Sequence, residues 1–162
     1  MATSRDQIER LLFSYARCVD SADWHGLRDL FANARVRTNT SQDVAVGGDA
    51  IAALWRDLNK VHEDGTLRTR HLLTNLMFDV DDDAGHAVVD SYFMVFQQTP
   101  RIPLQPIAGG RYCDTFVRDG GTWRFEEKFI WLDHVGDTSD HLAIDLAEPA
   151  RLDDTIDPGA TR

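Results

Sequence analysis

The chain has 162 residues, 43% of them apolar and 27% charged, which fits one globular domain able to bury a core. With 27 acidic against 17 basic residues, the formal net charge is −10, and this weighs against nucleic acid and an anionic membrane surface as partners. Charges at Glu9, Arg10 and Arg17 interrupt the first apolar stretch, so it does not read as a signal peptide. No apolar run approaches membrane-spanning length.

Ser4 and Gln7 form an S-x-x-Q capping box, a helix start. Ile8, Leu11, Leu12, Tyr15, Ala16 and Val19 then recur at helical spacing, giving an amphipathic helix to about Val19. A second short helix is expected around Leu27, Leu30 and Phe31, docked by Trp24. The run "ARVRTNT", residues 34–40, alternates like an exposed strand. "GGDAIAALWRDLNKVH" predicts a third helix with Asp49 as its cap.

Past residue 66 the period changes to two. "RHLLTNLMFDV" and "HAVVDSYFMVFQQ" read as strands separated by the turn "DDDAG". Pro100, Pro103 and Pro106 mark residues 98–108 as a stiff loop that could gate a pocket through Arg101 and Gln105. "RYCDTFVRDGGTWRFEEKFIWLD" reads as a hairpin turning at "DGG", with Arg124, Glu126, Lys128 and Ile130 outward on its second strand. The predicted domain ends at 135. Residues 136–162 form an acidic, partly ordered extension. Three helices in the N-terminal half followed by four long antiparallel strands make an α+β fold, a cone-shaped curved sheet enclosing a pocket.

Cys18 and Cys113 lie far apart without a CxxC and read as thiols of a cytoplasmic protein. His134 and His141 sit among several Asp residues but lack zinc-ligand spacing, so no metal is expected. No glycine-rich phosphate loop opens a helix, and no cofactor is expected. Strict alternation would place His71, Leu73, Asn75 and Met77 on one face, a mixed surface suited to a pocket wall. Arg111 shares a face with Cys113 and Thr115. If buried, it is paired, with Glu127 or Asp90, or it holds an anionic substrate group.

The pieces "IERLLFSYARCVDSADWHGLRDLF", "TRHLLTN", "HAVVDSYFMVF" and "GRYCDTFVRDGGTWRFEEKFIWLD", in this order, resemble the nuclear transport factor 2-like superfamily and its SnoaL-like branch. That branch includes dehydratases, a dehydrochlorinase, isomerases and the small subunits of ring-hydroxylating dioxygenases. The resemblance implies a cofactor-independent lyase or isomerase acting on a small apolar cyclic molecule. In its dehydratase-type members an Asp at the end of the first helix pairs with a strand His, and a Tyr lies five residues before the Asp; here these are Asp20, His71 and Tyr15.

His71 would be the general base, oriented by Asp20. Tyr15 could polarise a substrate oxygen or simply belong to the core. Asn75, Arg111, Asp90, Tyr92, Trp55 and Phe129 are the expected substrate contacts. The register of the 86–97 strand stays open, because a slip of one residue swaps faces. Trp55, Phe93, Phe125, Phe129 and Trp131 also read as core. The resemblance further implies a homo-dimer or trimer, and the alternative of a non-catalytic subunit beside a dioxygenase large subunit or of a small-molecule-binding module.

Overall fold

The computed structural model describes residues 2–144. Three helices, α1 (Ser4–Asp20), α2 (Trp24–Leu30) and α3 (Gly48–Leu58), pack on one face of a sheet. The strands are β1 (Arg35–Thr38), β2 (Ser41–Val46), β3 (Thr69–Asp81), β4 (His86–Gln97), β5 (Gln105–Asp119) and β6 (Thr122–Val135). They form one six-stranded sheet in the order β2-β1-β6-β5-β4-β3. Neighbours are antiparallel except β1 and β6, which run parallel. The sheet is curved and open, so the expected α+β architecture holds. Among the described residues no helix is long and apolar enough to cross a membrane.

α1 buries Ile8, Leu12, Tyr15, Ala16 and Val19, the stripe its periodicity called for. Its cap is Thr3 rather than Ser4. The Asp6 amide donates to Thr3 Oγ1 at 3.2 Å, and Thr3 N–H donates to Asp6 at 2.9 Å. Asp6 also puts a negative charge in the first turn, where the helix dipole favours it and a neutral Gln7 gains less. α3 is likewise not capped by Asp49, which sits in its first turn. Gly47, at φ 82°, is the cap residue, and no side chain caps the helix. A Cβ at Gly48 would run into the Arg28 carbonyl, so this glycine lets α2 and α3 approach closely.

The run 34–40 is not an exposed strand. β1 pairs with β6 on one side and with the unforeseen β2 on the other, and Val36 is buried in the core. The predicted 98–108 loop is also shorter, because β5 already begins at Gln105. Pro106 is accommodated at a bulge, where register with β4 shifts between Val95 and Phe96.

Bulges decide which side chains face the helices. In β3, Asn75 and Leu76 together oppose Ser91, and Asn75 takes the left-handed conformation at φ 55°. Beyond it Leu76, Phe78 and Val80 turn to the core, while Met77 is exposed. His71 and Leu73 therefore do not share a face with Asn75 and Met77, contrary to strict alternation. In β6, Glu126 is the extra residue between the pairs Phe116–Phe125 and Thr115–Glu127. Lys128 consequently points inward and is fully buried, and Ile130 packs on the core. Neither faces outward as the simple alternation had it.

The acidic segment from residue 136 divides. Residues 136–144 fold back on the body through Gly136, Lys60 and Ala143 backbone bonds. The remainder of the expected extension, 145–162, lies outside the described residues.

Candidate functional site

α1 ends at Asp20, and the chain reverses at Ala22 with φ 53°. Leu67 N–H donates to the Asp20 carbonyl at 3.2 Å, which ties the helix end to the start of β3. The Asp20 carboxylate then receives three hydrogen bonds. Thr69 Oγ1–H donates at 2.7 Å, His71 N–H at 3.0 Å and His71 Nδ1 at 2.6 Å. Burial alone would raise its pKa. The bonds from His71 and Thr69 outweigh that and hold the carboxyl below its ordinary value. Asp20 is thus an acceptor, Nδ1 carries the hydrogen, and Nε2 is left as the basic nitrogen. The His71 side chain is 7% exposed and that of Asp20 14%, so the pair is largely shielded from water.

Tyr15 lies one turn before Asp20 and meets the His71 ring edge-on, with centroids 6.4 Å apart. Trp55 of α3 packs on Tyr15 at 6.2 Å, and Tyr112 of β5 at 6.0 Å. Burial pushes the Tyr15 hydroxyl far above its ordinary pKa, so it remains a proton donor at any physiological pH. Asp20, His71, Tyr15 and Trp55 are therefore brought together as expected.

Beneath them lies a pair the sequence reading did not foresee. Lys128 Nζ sits 2.9 and 3.1 Å from the Asp114 oxygens, and both side chains are fully buried. The ammonium also lies 3.5 Å from the Tyr112 ring centre and 4.3 Å from that of Tyr15, a desolvated cation–π arrangement. Asp114 was legible, because Tyr112, Asp114 and Phe116 alternate on one face. Lys128 was not, because the Glu126 bulge moved it inward.

A second missed residue is His141. It is 8% exposed, and its Nδ1 is enclosed without a hydrogen-bond partner. Burial, with His71 nearby, pushes its imidazole down to about 4. The Leu142 that follows it, inside an otherwise polar run, was the available hint. Among the described residues no group of three or more His, Cys, Asp or Glu could hold a metal ion.

The other expected contacts lie on the opposite, helix-free face of the sheet. Asn75, Tyr92, Arg111, Asp90 and Phe129 line a shallow cleft of about 290 Å³ there with Trp131. Tyr92 is 55% exposed. Arg111 is neither buried nor paired with Glu127 or Asp90. It makes two 2.9 Å bonds to Asp133 and stacks 4.7 Å over Trp131. Glu127 instead takes Arg35 and Arg37. Residues 71–75 had suggested one continuous wall, but the Asn75 bulge splits that wall between two faces. Arg101 of the 98–108 segment binds Asp140.

A family model described as a SnoaL-like domain matches residues 1–128. No curated protein matches the sequence at a significant level. Among solved structures, a protein assigned as a scytalone dehydratase from Novosphingobium aromaticivorans is 23% identical, with 82% of this chain and 86% of that one covered and a TM-score of 0.64. The beta subunit assigned to an aromatic-ring-hydroxylating dioxygenase of the same organism is 17% identical, with 82% and 91% covered and a TM-score of 0.64. ActVI-ORFA from Streptomyces coelicolor is 20% identical, with 81% and 98% covered and a TM-score of 0.66. At these identities the likeness is one of fold.

Proposed function

Because the chain belongs to the SnoaL-like domain family, we propose that it is a cofactor-independent lyase or isomerase in which His71 is the general base. The observation that carries this reading is the triple hydrogen bonding of Asp20, which leaves His71 Nε2 as a shielded base. The base takes a proton from carbon beside an activating group, and the Asp20 carboxylate stabilises the imidazolium that forms. The protonated Tyr15 hydroxyl stabilises charge that grows on the substrate oxygen. From the resulting enolate, loss of a β-leaving group is dehydration, and return of the proton elsewhere is isomerisation or completes a cyclisation. Tyr15, Trp55 and Tyr112 offer aromatic surface, which suits a small apolar cyclic substrate. The scytalone dehydratase assignment of one structural neighbour supports the dehydration branch.

The test is deuterium exchange in D₂O, followed by NMR over a panel of cyclic hydroxy-ketones; it reads proton abstraction whichever product follows. His71→Ala should lower the exchange rate about 10²–10⁴-fold with the fold intact. Asp20→Asn should lower it as well, and the double variant should be no worse than the worse single one. Near-normal exchange by His71→Ala would leave the pair a structural tie between α1 and β3.

A second reading, a non-catalytic subunit, draws on the dioxygenase beta-subunit neighbour and on the helix-free face. That face carries Arg35, Arg37 and Arg111 beside Asp79, Asp81 and Glu126, a layout suited to self-association as a dimer or trimer. Exchange activity that depends on His71 would exclude a purely structural subunit.

A further inference from the structure

The dyad sits at the end of the sheet where β3 begins and β4 finishes. Thr69 pairs there with Gln97, and His71 with Val95. The His71 and Asp20 side chains are 7% and 14% exposed, so a ligand reaches the imidazole only after part of the protein moves. A segment able to make that movement lies at the same end.

Residues 136–144 cross from the sheet to the helices after β6. Gly136 N–H donates to Ile107 O, Lys60 N–H to His141 O and Ala143 N–H to Leu58 O, each at 2.8 Å. Between these ties Asp140 fastens the segment to the end of the sheet. Its carboxylate accepts from Thr99 Oγ1–H at 2.6 Å and from Arg101, and its carbonyl accepts from Gln97 Nε2–H at 3.2 Å. The same Gln97 amide donates to Leu67 O at 3.0 Å, and Leu67 N–H donates to the Asp20 carbonyl at 3.2 Å. On the helix side, Asn59 donates to Trp55 O at 2.7 Å, and Trp55 packs on Tyr15. The segment thus spans the gap between α3 and the sheet at the dyad's own end.

These ties are polar. The hydrophobic core and the apolar residues packed on it run from Ile8 to Leu132, and residues 136–144 add nothing to it. A segment held by hydrogen bonds without core packing opens at a low free-energy cost compared with the body. His141 adds a penalty to the closed state, because its Nδ1 is enclosed without a partner. Opening returns that nitrogen to water and relieves the penalty.

We propose that residues 136–144 are a strap across the end of the curved sheet, fastened by Asp140, and that its release is the step that admits a ligand to His71. This deepens the reading above and takes from it only that His71 is the group a ligand must reach.

The test staples the strap shut. Asn59 and Leu142 form an antiparallel bridge pair, a spacing of about 4.5–5.5 Å between Cα atoms, which a disulfide accepts. Asn59→Cys with Leu142→Cys, oxidised, holds the strap closed, and dithiothreitol frees it. Access is read with diethyl pyrocarbonate, which transfers an ethoxycarbonyl group to a neutral imidazole nitrogen with release of ethanol and carbon dioxide; peptide mass spectrometry locates the product. In the reduced form His71 and His141 should react in step, and more slowly than the exposed His25. Oxidation should slow both at least about tenfold and leave His25 unchanged. The unmodified protein, with Cys18 and Cys113 alone, should show no such difference. Arg101 has a side chain 70% exposed, so Arg101→Gln loosens the strap without touching the core, and it should speed His71 modification about three- to tenfold. Equal His71 rates in the oxidised and reduced forms, a His71 inert in both, or His71 reacting ahead of His141 overturns the proposal. If the disulfide fails to form, an unchanged His71 rate in Arg101→Gln overturns it. If the staple shuts His71 off from the reagent but neither form exchanges deuterium into hydroxy-ketones, the strap stands and the lyase or isomerase reading falls.

Discussion

Lys128 and Asp114 show how far a single buried pair can be from a simple stabiliser. Burial raises Asp114 to about 6, burial also lowers Lys128, and in each case the partner's opposite charge pulls the other way. Desolvation of the two ions consumes most of their attraction. Lys128→Met alone strands a buried carboxylate and should cost about 3–5 kcal/mol by urea unfolding at pH 7. Lys128→Met with Asp114→Leu should recover most of that, and equal losses in the single and double variants would mean the two groups are uncoupled. His141 has its own signature. Its folded value, about 4, lies below its ordinary 6.5, so the unfolded state binds the extra proton between those values. Stability from this group is present above pH 6.5 and is lost as pH falls towards 4. Asp114, raised instead, acts with the opposite sign in the same window, so the acid limb of the unmodified protein mixes the two. The stability difference between it and His141→Phe isolates the imidazole. The stability of the unmodified protein relative to His141→Phe should fall by about 2–3 kcal/mol between pH 7 and pH 4, read by denaturant titration at each pH.

At the scale of elements, the bulges matter more than the strands they interrupt. Asn75 at φ 55° is what lets His71 and Leu73 face the helices on one side of it and Leu76, Phe78 and Val80 on the other. Asparagine tolerates that conformation and a β-branched residue does not. Asn75→Gly should stay within about 0.5 kcal/mol of the unmodified protein, whereas Asn75→Val should lose about 1–2 kcal/mol, both by urea midpoint. Equal stability of the two would mean the bulge had moved elsewhere. An Asn inside a β-rich run was a visible sign, since asparagine is depleted in strands. Nothing comparable marks Glu126, which is an ordinary residue for a strand exposed to water.

For the molecule as a whole, the sheet separates two surfaces of different character. The helix-covered face holds Asp20, His71, Tyr15, Trp55 and His141. The other face presents Tyr92 and Met77, 55% and 70% exposed, beside Phe129 and Trp131. Large exposed side chains rimmed by charge fit an interface between copies. If that face self-associates, light scattering should give a dimer or trimer. Tyr92→Glu with Met77→Glu should shift the protein to monomer without altering His71-dependent exchange. A monomeric unmodified protein at high concentration would remove the oligomer reading and leave the interior site untouched.

The sequence by itself determined the order of the three helices and the four long strands, the α+β class and the first-helix Asp and strand His that meet, but not the short β2. These follow from local periodicity, and from a resemblance carried by short motifs whose spacing survives in the chain. It also placed Tyr15 and Trp55 on apolar stripes, which is why both reach the interior. Only the tertiary structure decided which face each strand residue takes. A bulge shifts the period-two pattern by one residue, and the residue that bulges is selected by pairing with strands far away in sequence. That is why Asn75, Tyr92, Asp90, Arg111 and Phe129 share the helix-free face, and why Lys128 is buried. Long-range hydrogen bonds likewise decided the place of His141: Asp140 is held by Thr99, Arg101 and Gln97, some forty positions earlier, and no local pattern at residues 136–144 encodes those partners.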